Sequence, residues 1–218
     1  MKRGFLLFFA LFFLIFSQEV FGQKVNWLKQ RFKAGPIIGT NLTQVDGDTD
    51  AGIHKIGLHV GAGSYINLSD FMGLQLEILY AQKGAKFTQE LYGAVGPYYN
   101  HYRMILNYLE IPLALKYYYR DDIHFGAGVS FNRLINSKED YTTLYGIQVF
   151  DSDQYYFEKN SWDAFISIDY QVFGRLIAEL RYQYSITPIR YLNQIPQGFS
   201  NGRDQVNNLF VVRLGYYL

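Results

Sequence analysis

Strict alternation of apolar and polar residues is the feature that most limits what this 218-residue chain can fold into. In segment 162–172, every second residue from Trp162 to Val172 is apolar, and most of the residues between them are polar. This period of two is typical of a β-strand, because successive side chains of a strand point to opposite faces. The chain is therefore expected to be all-β wherever the pattern recurs.

The alternation recurs through most of the chain and predicts eight strands. The connections between these strands alternate in length, with tight turns at 69–70, 120–122 and 173–174. Short turns at one end and long loops at the other are typical of outer-membrane barrels, whose turns face the periplasm. The predicted strands are 32–43, 54–67, 71–88, 103–119, 123–136, 161–172, 175–187 and 206–218, and the long loops are 44–53, 89–102, 137–160 and 188–205.

Alternation alone also fits a soluble sandwich or a lipocalin-like barrel, so the choice depends on which face meets water. The polar faces of two strands carry glycines, which would weaken a strand exposed to water. Inside a narrow barrel, the same glycines leave room for large polar side chains opposite. We therefore predict an eight-stranded antiparallel up-and-down transmembrane β-barrel. The glycines are Gly57, Gly61, Gly63, Gly126 and Gly128.

Composition supports a membrane environment and limits the chemistry. Aromatic residues make up 18% of the chain, with 20 Tyr and 18 Phe, and Tyr suits a membrane interface. The net charge of +1 gives no reason to expect a nucleic-acid partner. The absence of Cys excludes disulfides, thiol catalysis and thiolate metal sites. We expect outer-membrane lipid as the surroundings and no cofactor.

The first residues resemble an export signal. Lys2 and Arg3 precede an apolar run at 5–16, which is shorter than the ~20 residues of a spanning helix. Val20 and Gly22 are small enough for the −3 and −1 positions of a signal peptidase site. We predict a cleaved signal peptide at 1–22 and a barrel domain at 23–218, with an uncleaved N-terminal anchor as the alternative.

Four segments resemble the PorT-like outer-membrane β-barrel family of Bacteroidetes, across essentially all of the predicted mature chain. The resemblance implies a barrel in the outer membrane of a Gram-negative bacterium and, from the protein that gives the family its name, an accessory role in type IX secretion. Leu218 departs from the aromatic residue that usually ends such barrels. The segments are 32–42 (FKAGPIIGTNL), 74–84 (LQLEILYAQKG), 107–113 (NYLEIPL) and 208–218 (NLFVVRLGYYL).

If the apolar face meets lipid, the polar face fills a lumen only wide enough for side chains. Charges removed from water must be paired. We therefore expect a structural polar network in which Arg181 and Arg213 are hubs for Glu179, Asp169 and Glu77, and which closes the lumen to ions. Strand parity places these residues inside: His59, Glu77, Glu110, Lys116, His124, Asp163, Asp169, Glu179, Arg181 and Arg213.

Catalysis would require His59 or His124 to act as a general base oriented by an inward carboxylate. Neither histidine is linked in sequence to a nucleophilic Ser, and a lone inward His usually belongs to a hydrogen-bonded network. We therefore expect no enzymatic activity.

The long loops hold two further patterns. Asp46, Asp48 and Asp50 alternate as calcium ligands do, but the later bidentate Glu is missing, so a solvated acidic loop remains the alternative. The loop 137–160 is rich in aromatic residues, which either recognise a partner or glycan or fold over the barrel mouth. Its candidates for recognition are Tyr141, Tyr145, Tyr155 and Tyr156.

Two functions remain open on this basis. The first is a non-enzymatic envelope component or accessory to a secretion or surface assembly, with envelope proteins as partners. The second is a barrel that binds or transports a small ligand at its extracellular mouth. A barrel hydrolase ranks third after these two. An even number of strands predicts that both ends of the mature chain are periplasmic.

Overall fold

The structure is a computed structural model that describes residues 31–49, 52–93, 96–143, 145–151 and 154–218. The predicted signal peptide and Asp50 lie outside the described residues. Within the described part of the chain, no helix is long and apolar enough to cross a membrane. The regular elements are β1 (Phe32–Asp46), β2 (Lys55–Asn67), β3 (Met72–Lys83), β4 (Lys86–Gly93), β5 (Gly96–Tyr118), β6 (Ile123–Thr143), β7 (Gly146–Val149), β8 (Asn160–Phe173), β9 (Leu176–Ser185), a 3-10 turn (Leu192–Gln194) and β10 (Val206–Tyr216).

Eight of these strands close into a ring. Neighbours pair antiparallel in the order β1, β2, β3, β5, β6, β8, β9 and β10, and β10 returns to pair with β1. Closure leaves no free edge within the barrel, which is how a sheet satisfies its backbone hydrogen bonds in lipid. The predicted eight-stranded antiparallel barrel is therefore confirmed.

The predicted long loop 89–102 is largely β-structure and about half of 137–160 is too, which corrects the expectation. β5 begins at Gly96 and β6 continues to Thr143, and these extensions pair with each other and with β4 and β7. The four strands form a sheet that continues past the barrel at its long-loop end. At the register shift beside Asn107 and Tyr108, β6 carries one extra residue, Ile135, so the inward side changes from even-numbered to odd-numbered residues on β6 beyond that point. On β5 the even-numbered residues stay inward throughout, but in the extension most of them are apolar and not polar.

The predicted strand at 71–88 is two strands, separated at Gly84 and Ala85. Gly84 has a positive φ of 125°, which only glycine adopts without strain. A Cβ atom at this position would also lie 2.3 Å from the carbonyl oxygen of Met104. Gly84 therefore sets the change of direction from β3, in the barrel wall, to β4, in the sheet above it.

The barrel wall is apolar outside and polar inside. On β8, the outward residues from Trp162 to Val172 are exposed while Asp163, Phe165, Ser167 and Asp169 are buried. This outward run is 11 residues long, about what a tilted strand needs to cross a bilayer. Exposure of so many large apolar side chains would be costly in water but is expected against lipid.

Outward-facing aromatic residues lie at both ends of this apolar band, where the membrane interfaces are expected. Tyr118 and Tyr217 are exceptions, because both point into the lumen and are buried. The exposed aromatic residues at the short-turn end are Phe32, Phe71, Tyr117, Tyr119 and Phe173, and those towards the long-loop end include Trp162 and Tyr184.

Candidate functional site

The barrel lumen contains a dense set of buried charges. The ten residues selected by strand parity all have side chains in the interior, although they come from seven different strands. They do not form one continuous network, because the contacts separate into two groups. Each is at most 5% exposed: His59, Glu77, Glu110, Lys116, His124, Asp163, Asp169, Glu179, Arg181 and Arg213.

The first group, here called the central network, is built around two arginines. Arg213 on β10 donates to both carboxylate oxygens of Glu77, with its Nη1 at 2.8 Å from Oε2, and its Nη2 also lies 2.6 Å from Glu179 Oε2. Arg181 on β9 donates to Glu179 Oε1 at 2.8 Å and reaches Glu77 at 3.3 Å. Because Glu77 is on β3, on the far side of the ring, these bonds cross the lumen.

Asp169 belongs to the central network through a lysine and not through the arginine hubs that the sequence suggested. The Nζ atom of Lys116 lies 2.7 Å from Asp169 Oδ2 and 3.5 Å from Glu179 Oε2. Asp169 and Glu179 are directly opposite each other on β8 and β9, where two negative charges would repel. Lys116 lies between them and removes that repulsion.

Gly126 allows Lys116 to make these contacts. In the pairing of β5, β6 and β8, Gly126 stands between Lys116 and Ser167. A Cβ atom on Gly126 would lie 2.5 Å from Ser167 Oγ and 2.8 Å from Lys116 Cδ. The lysine side chain therefore crosses over the glycine and donates to Ser167 Oγ at 2.8 Å.

The second group, here called the outer network, is nearer the long-loop end. Lys83 forms ion pairs with Glu110 and with Asp163, the latter at 2.7 Å. Gln183 and Ser185 donate to the two oxygens of Asp163 at 2.7 Å and 2.8 Å. Lys83 is not among the ten residues that were predicted to lie inside. It has the same strand parity as Glu77, so extending that parity to the end of β3 would have found it.

The two histidines lie within the lumen, away from solvent. His59 Nε2 is 3.3 Å from Nη1 of Arg213, and the His124 ring packs edge-on against Tyr118 with centroids 4.7 Å apart. Both side chains are fully buried. A general base must reach the proton of a bound substrate, and neither imidazole is exposed to one in this arrangement.

The central network is charge-balanced. Three cations, Arg181, Arg213 and Lys116, face three carboxylates, those of Glu77, Glu179 and Asp169. Removing charges from water costs several kcal/mol for each ion unless the charges are paired and hydrogen-bonded. The observed geometry meets this condition except at Nη1 of Arg181, which makes no hydrogen bond with the described residues, and the Arg181 guanidinium also lies over the Phe165 ring at 3.9 Å.

An aromatic cap covers the long-loop end of the lumen. Arg190, fully buried, forms a two-point ion pair with Glu139 and stacks over the Phe157 ring at 3.5 Å. Tyr102 donates a short hydrogen bond to Glu139. Burial, followed by the nearby Glu139 carboxylate, raises the pKa of Tyr102 well above its usual range, so this phenol remains a donor. These contacts join loop 188–205 to the extended part of β6.

The tyrosines proposed for recognition are distributed between the cap and solvent. Tyr141 folds inward, where its ring lies against Phe199 with centroids 5.0 Å apart. Tyr155 is half-buried against Phe150. Tyr145 is 95% exposed in the turn between β6 and β7, and Tyr156 is also exposed. Part of this loop therefore folds over the barrel mouth, while recognition by the exposed Tyr145 and Tyr156 stays a prediction.

The acidic side chains that suggested a calcium site are partly engaged in contacts within the protein. Asp46 accepts hydrogen bonds from Gln44 at 2.7 Å and from Asn208 at 3.0 Å, and Asp48 is buried. Among the described residues, no group of three or more His, Cys, Asp or Glu side chains is arranged to hold a metal ion. Asp50, the third residue of the pattern, lies outside the described part.

Comparison with solved structures shows the same fold in one protein and a weaker likeness in two others. Ail, the attachment invasion locus protein of Yersinia pestis, superposes with a TM-score of 0.50 at 9% identity, covering 87% of this chain and 100% of Ail. OprG from Pseudomonas aeruginosa has a TM-score of 0.40 at 12% identity, covering 86% of this chain and 95% of OprG. The protease OmpT from Escherichia coli has a TM-score of 0.40 at 10% identity, with coverage of 86% and 95%.

These identities are too low to carry more than the fold, and no curated protein sequence matches the chain. The family comparison is more specific, because the model of the outer membrane protein beta-barrel domain matches residues 16–191, most of the chain. Together with the closed ring and its apolar exterior, this match shows that the chain belongs to the outer membrane β-barrel family and lies in the outer membrane.

Proposed function

We propose that this protein is a non-enzymatic, non-conducting barrel that acts through its surfaces, as an envelope component or an accessory to a secretion or surface assembly. The observation that carries the proposal is the charge-balanced central network, which occupies the lumen where a pore or a substrate would have to lie. With the lumen filled, the parts available to partners are the loops and turns.

The finer assignment to the PorT-like family rests on the resemblance of its strand sequences. In this assignment, residues 1–22 are removed on export, Gln23 begins the mature chain, and both ends of that chain are periplasmic. The short turns would then offer periplasmic contacts to a secretion assembly, and the four-stranded extension would face outward.

Conductance tests the closed lumen. Reconstituted in planar bilayers, the protein should give no stable nanosiemens-scale openings at neutral pH. Arg213→Ala should introduce openings, because it removes the side chain that spans from β10 to Glu77. An exposed arginine, Arg203, provides the matched control, and Arg203→Ala should remain closed. Stable openings in the unaltered protein would contradict the proposal.

Single cysteines test the orientation, since the chain has none of its own. Tyr145→Cys places a thiol at an exposed site beyond the barrel, and Asp121→Cys places one in a short turn. A membrane-impermeant maleimide added to whole cells should label the first variant and not the second until the cells are broken. The reverse pattern would overturn the proposed orientation.

Co-purification tests the accessory role. Mild cross-linking in cells followed by purification should recover envelope proteins with the barrel, and substitution of residues in the short turns should release them. Recovery of the barrel without any envelope protein would contradict the accessory role and leave the small-ligand function as the alternative.

A further inference from the structure

A cleft of about 470 Å³ opens beside the aromatic cap, at the long-loop end of the molecule. Its walls come from β4, from the extended part of β6 and from two loops, so it exists only because the sheet continues past the barrel. The volume lies within the range typical of small-ligand sites. Side chains that line it include Thr49, Phe87, Thr88, Gln89, Tyr141 and Phe199.

The aromatic wall of the cleft is held rigidly. Phe199 stacks on Tyr102 with ring centroids 5.1 Å apart, and its edges contact Tyr141 and Phe150 at 5.0 Å and 5.2 Å. Phe87 stacks on the same Tyr102 at 4.7 Å. Rings fixed in this way need little ordering when a ligand binds, so less free energy is lost on association.

A chain of hydrogen bonds orients the polar rim. Asn100, almost fully buried, donates to the hydroxyl of Tyr141 at 2.6 Å, and that hydroxyl donates to Gln89 Oε1 at 3.4 Å. With its oxygen engaged in this way, the Gln89 amide presents Nε2 as a donor. Thr49 adds a hydroxyl group, which can both donate and accept. The Thr88 hydroxyl is in hydrogen-bond contact with His101 Nδ1 at 3.0 Å, which leaves it part of its capacity for a ligand.

The cleft carries no charged side chain among the described residues that line it. This composition disfavours phosphate, sulfate and carboxylate ligands, which need Arg, Lys or a helix N-terminus. A neutral sugar fits better, because its ring presents C–H groups to an aromatic wall while its hydroxyls exchange hydrogen bonds with amides and hydroxyls at the rim. We propose that this cleft binds a neutral saccharide, of one or two sugar units.

The test uses the full-length protein folded in a detergent without a sugar head group, since a glucoside or maltoside would compete for the site. An array of neutral oligosaccharides built from hexoses, deoxyhexoses and N-acetylhexosamines is probed, with sulfated and sialylated chains as charged counterparts. At least one neutral series should bind with a Kd tighter than about 1 mM, in preference to its charged counterparts. Comparing the binding of disaccharides and pentasaccharides of that series then distinguishes a free sugar from a segment of a polymeric glycan as the ligand.

Variants assign the binding to the cleft. Gln89→Ala should weaken it about tenfold, the loss expected from one directed hydrogen bond, without affecting folding because Gln89 is exposed. Phe199→Leu, which removes the ring but keeps an apolar side chain, should weaken it further. Gln148→Ala, an exposed glutamine on β7 outside the cleft, is the matched control and should bind normally.

Two results would overturn the inference. One is folded protein, verified by its gel shift, that binds no neutral probe. The other is neutral binding that Gln89→Ala leaves unchanged. Neither result bears on conductance or on partner proteins, so the proposed envelope role would be judged separately.

Discussion

Glu77→Gln is the substitution that most directly tests the role of the central network in stability. Glu77 accepts hydrogen bonds from both Arg213 and Arg181, and its side chain is 1% exposed. Glutamine has almost the same shape but no charge, and its NH2 group cannot accept from a guanidinium. The substitution therefore leaves three buried cations facing two carboxylates.

The magnitude follows from the cost of an unpaired buried charge. Removing one partner of a buried ion pair typically costs about 3–5 kcal/mol. Because the glutamine oxygen still accepts one hydrogen bond, the low end, about 3 kcal/mol, is expected. With a urea dependence of about 2 kcal/mol per M, the unfolding midpoint should fall by about 3/2, or about 1.5 M.

Urea unfolding in lipid vesicles, followed by the difference in gel migration between folded and unfolded barrel, measures this shift. Glu90→Gln provides the matched control, because Glu90 is exposed on β4 and its loss should cost less than about 0.5 kcal/mol. The double variant with Arg213→Gln should recover part of the loss, since it restores the charge balance. A Glu77→Gln midpoint equal to that of the unaltered protein would refute the account of the lumen as a paired charge network.

Three other substitutions probe the cap, the lipid face and the lumen glycine. Arg190→Ala should raise the rate of protease cleavage in loop 188–205 at least about tenfold while the barrel remains folded, because it leaves a buried carboxylate without its guanidinium; an unchanged cleavage rate would contradict this role. Ile166→Arg places a charge on the lipid face and should lower the free energy of unfolding in vesicles by about 2–4 kcal/mol. Asn193→Arg, in an exposed loop, should leave it unchanged, and equal effects of the two substitutions would contradict the assigned lipid face. Gly126→Val should abolish the heat-modifiable gel shift because its side chain would overlap Lys116 and Ser167, whereas Ala127→Val, which points outward, should fold normally.

Alternation predicted which face of each barrel strand points inward, because successive side chains of a strand point to opposite faces. In a membrane barrel the apolar face meets lipid, so the polar face is the inward one. Glu77 and Lys116 could both be placed inside in this way. The eight strands and their short turns followed from the same pattern with the turn residues. These are local properties, and the sequence carries them directly.

Which charged side chains pair inside the lumen is not a local property of the sequence. Glu77 meets Arg213 across the ring, and Asp169 meets Lys116 over Gly126, because the stagger of eight tilted strands sets which side chains share a level. A parity argument gives no stagger, so it assigned Asp169 to the wrong cations.

The outer part of the molecule was the least predictable. One extra residue in β6, Ile135, reverses the parity of that strand beyond the barrel, so Glu139 points inward to meet Arg190 from a segment that looks like a polar loop. The sequence alone determined an inside-out barrel and the face to which each barrel residue belongs. The tertiary structure decided which charges pair, how β5 and β6 extend beyond the membrane and where the cleft opens, since each depends on the register between strands that are distant in the chain.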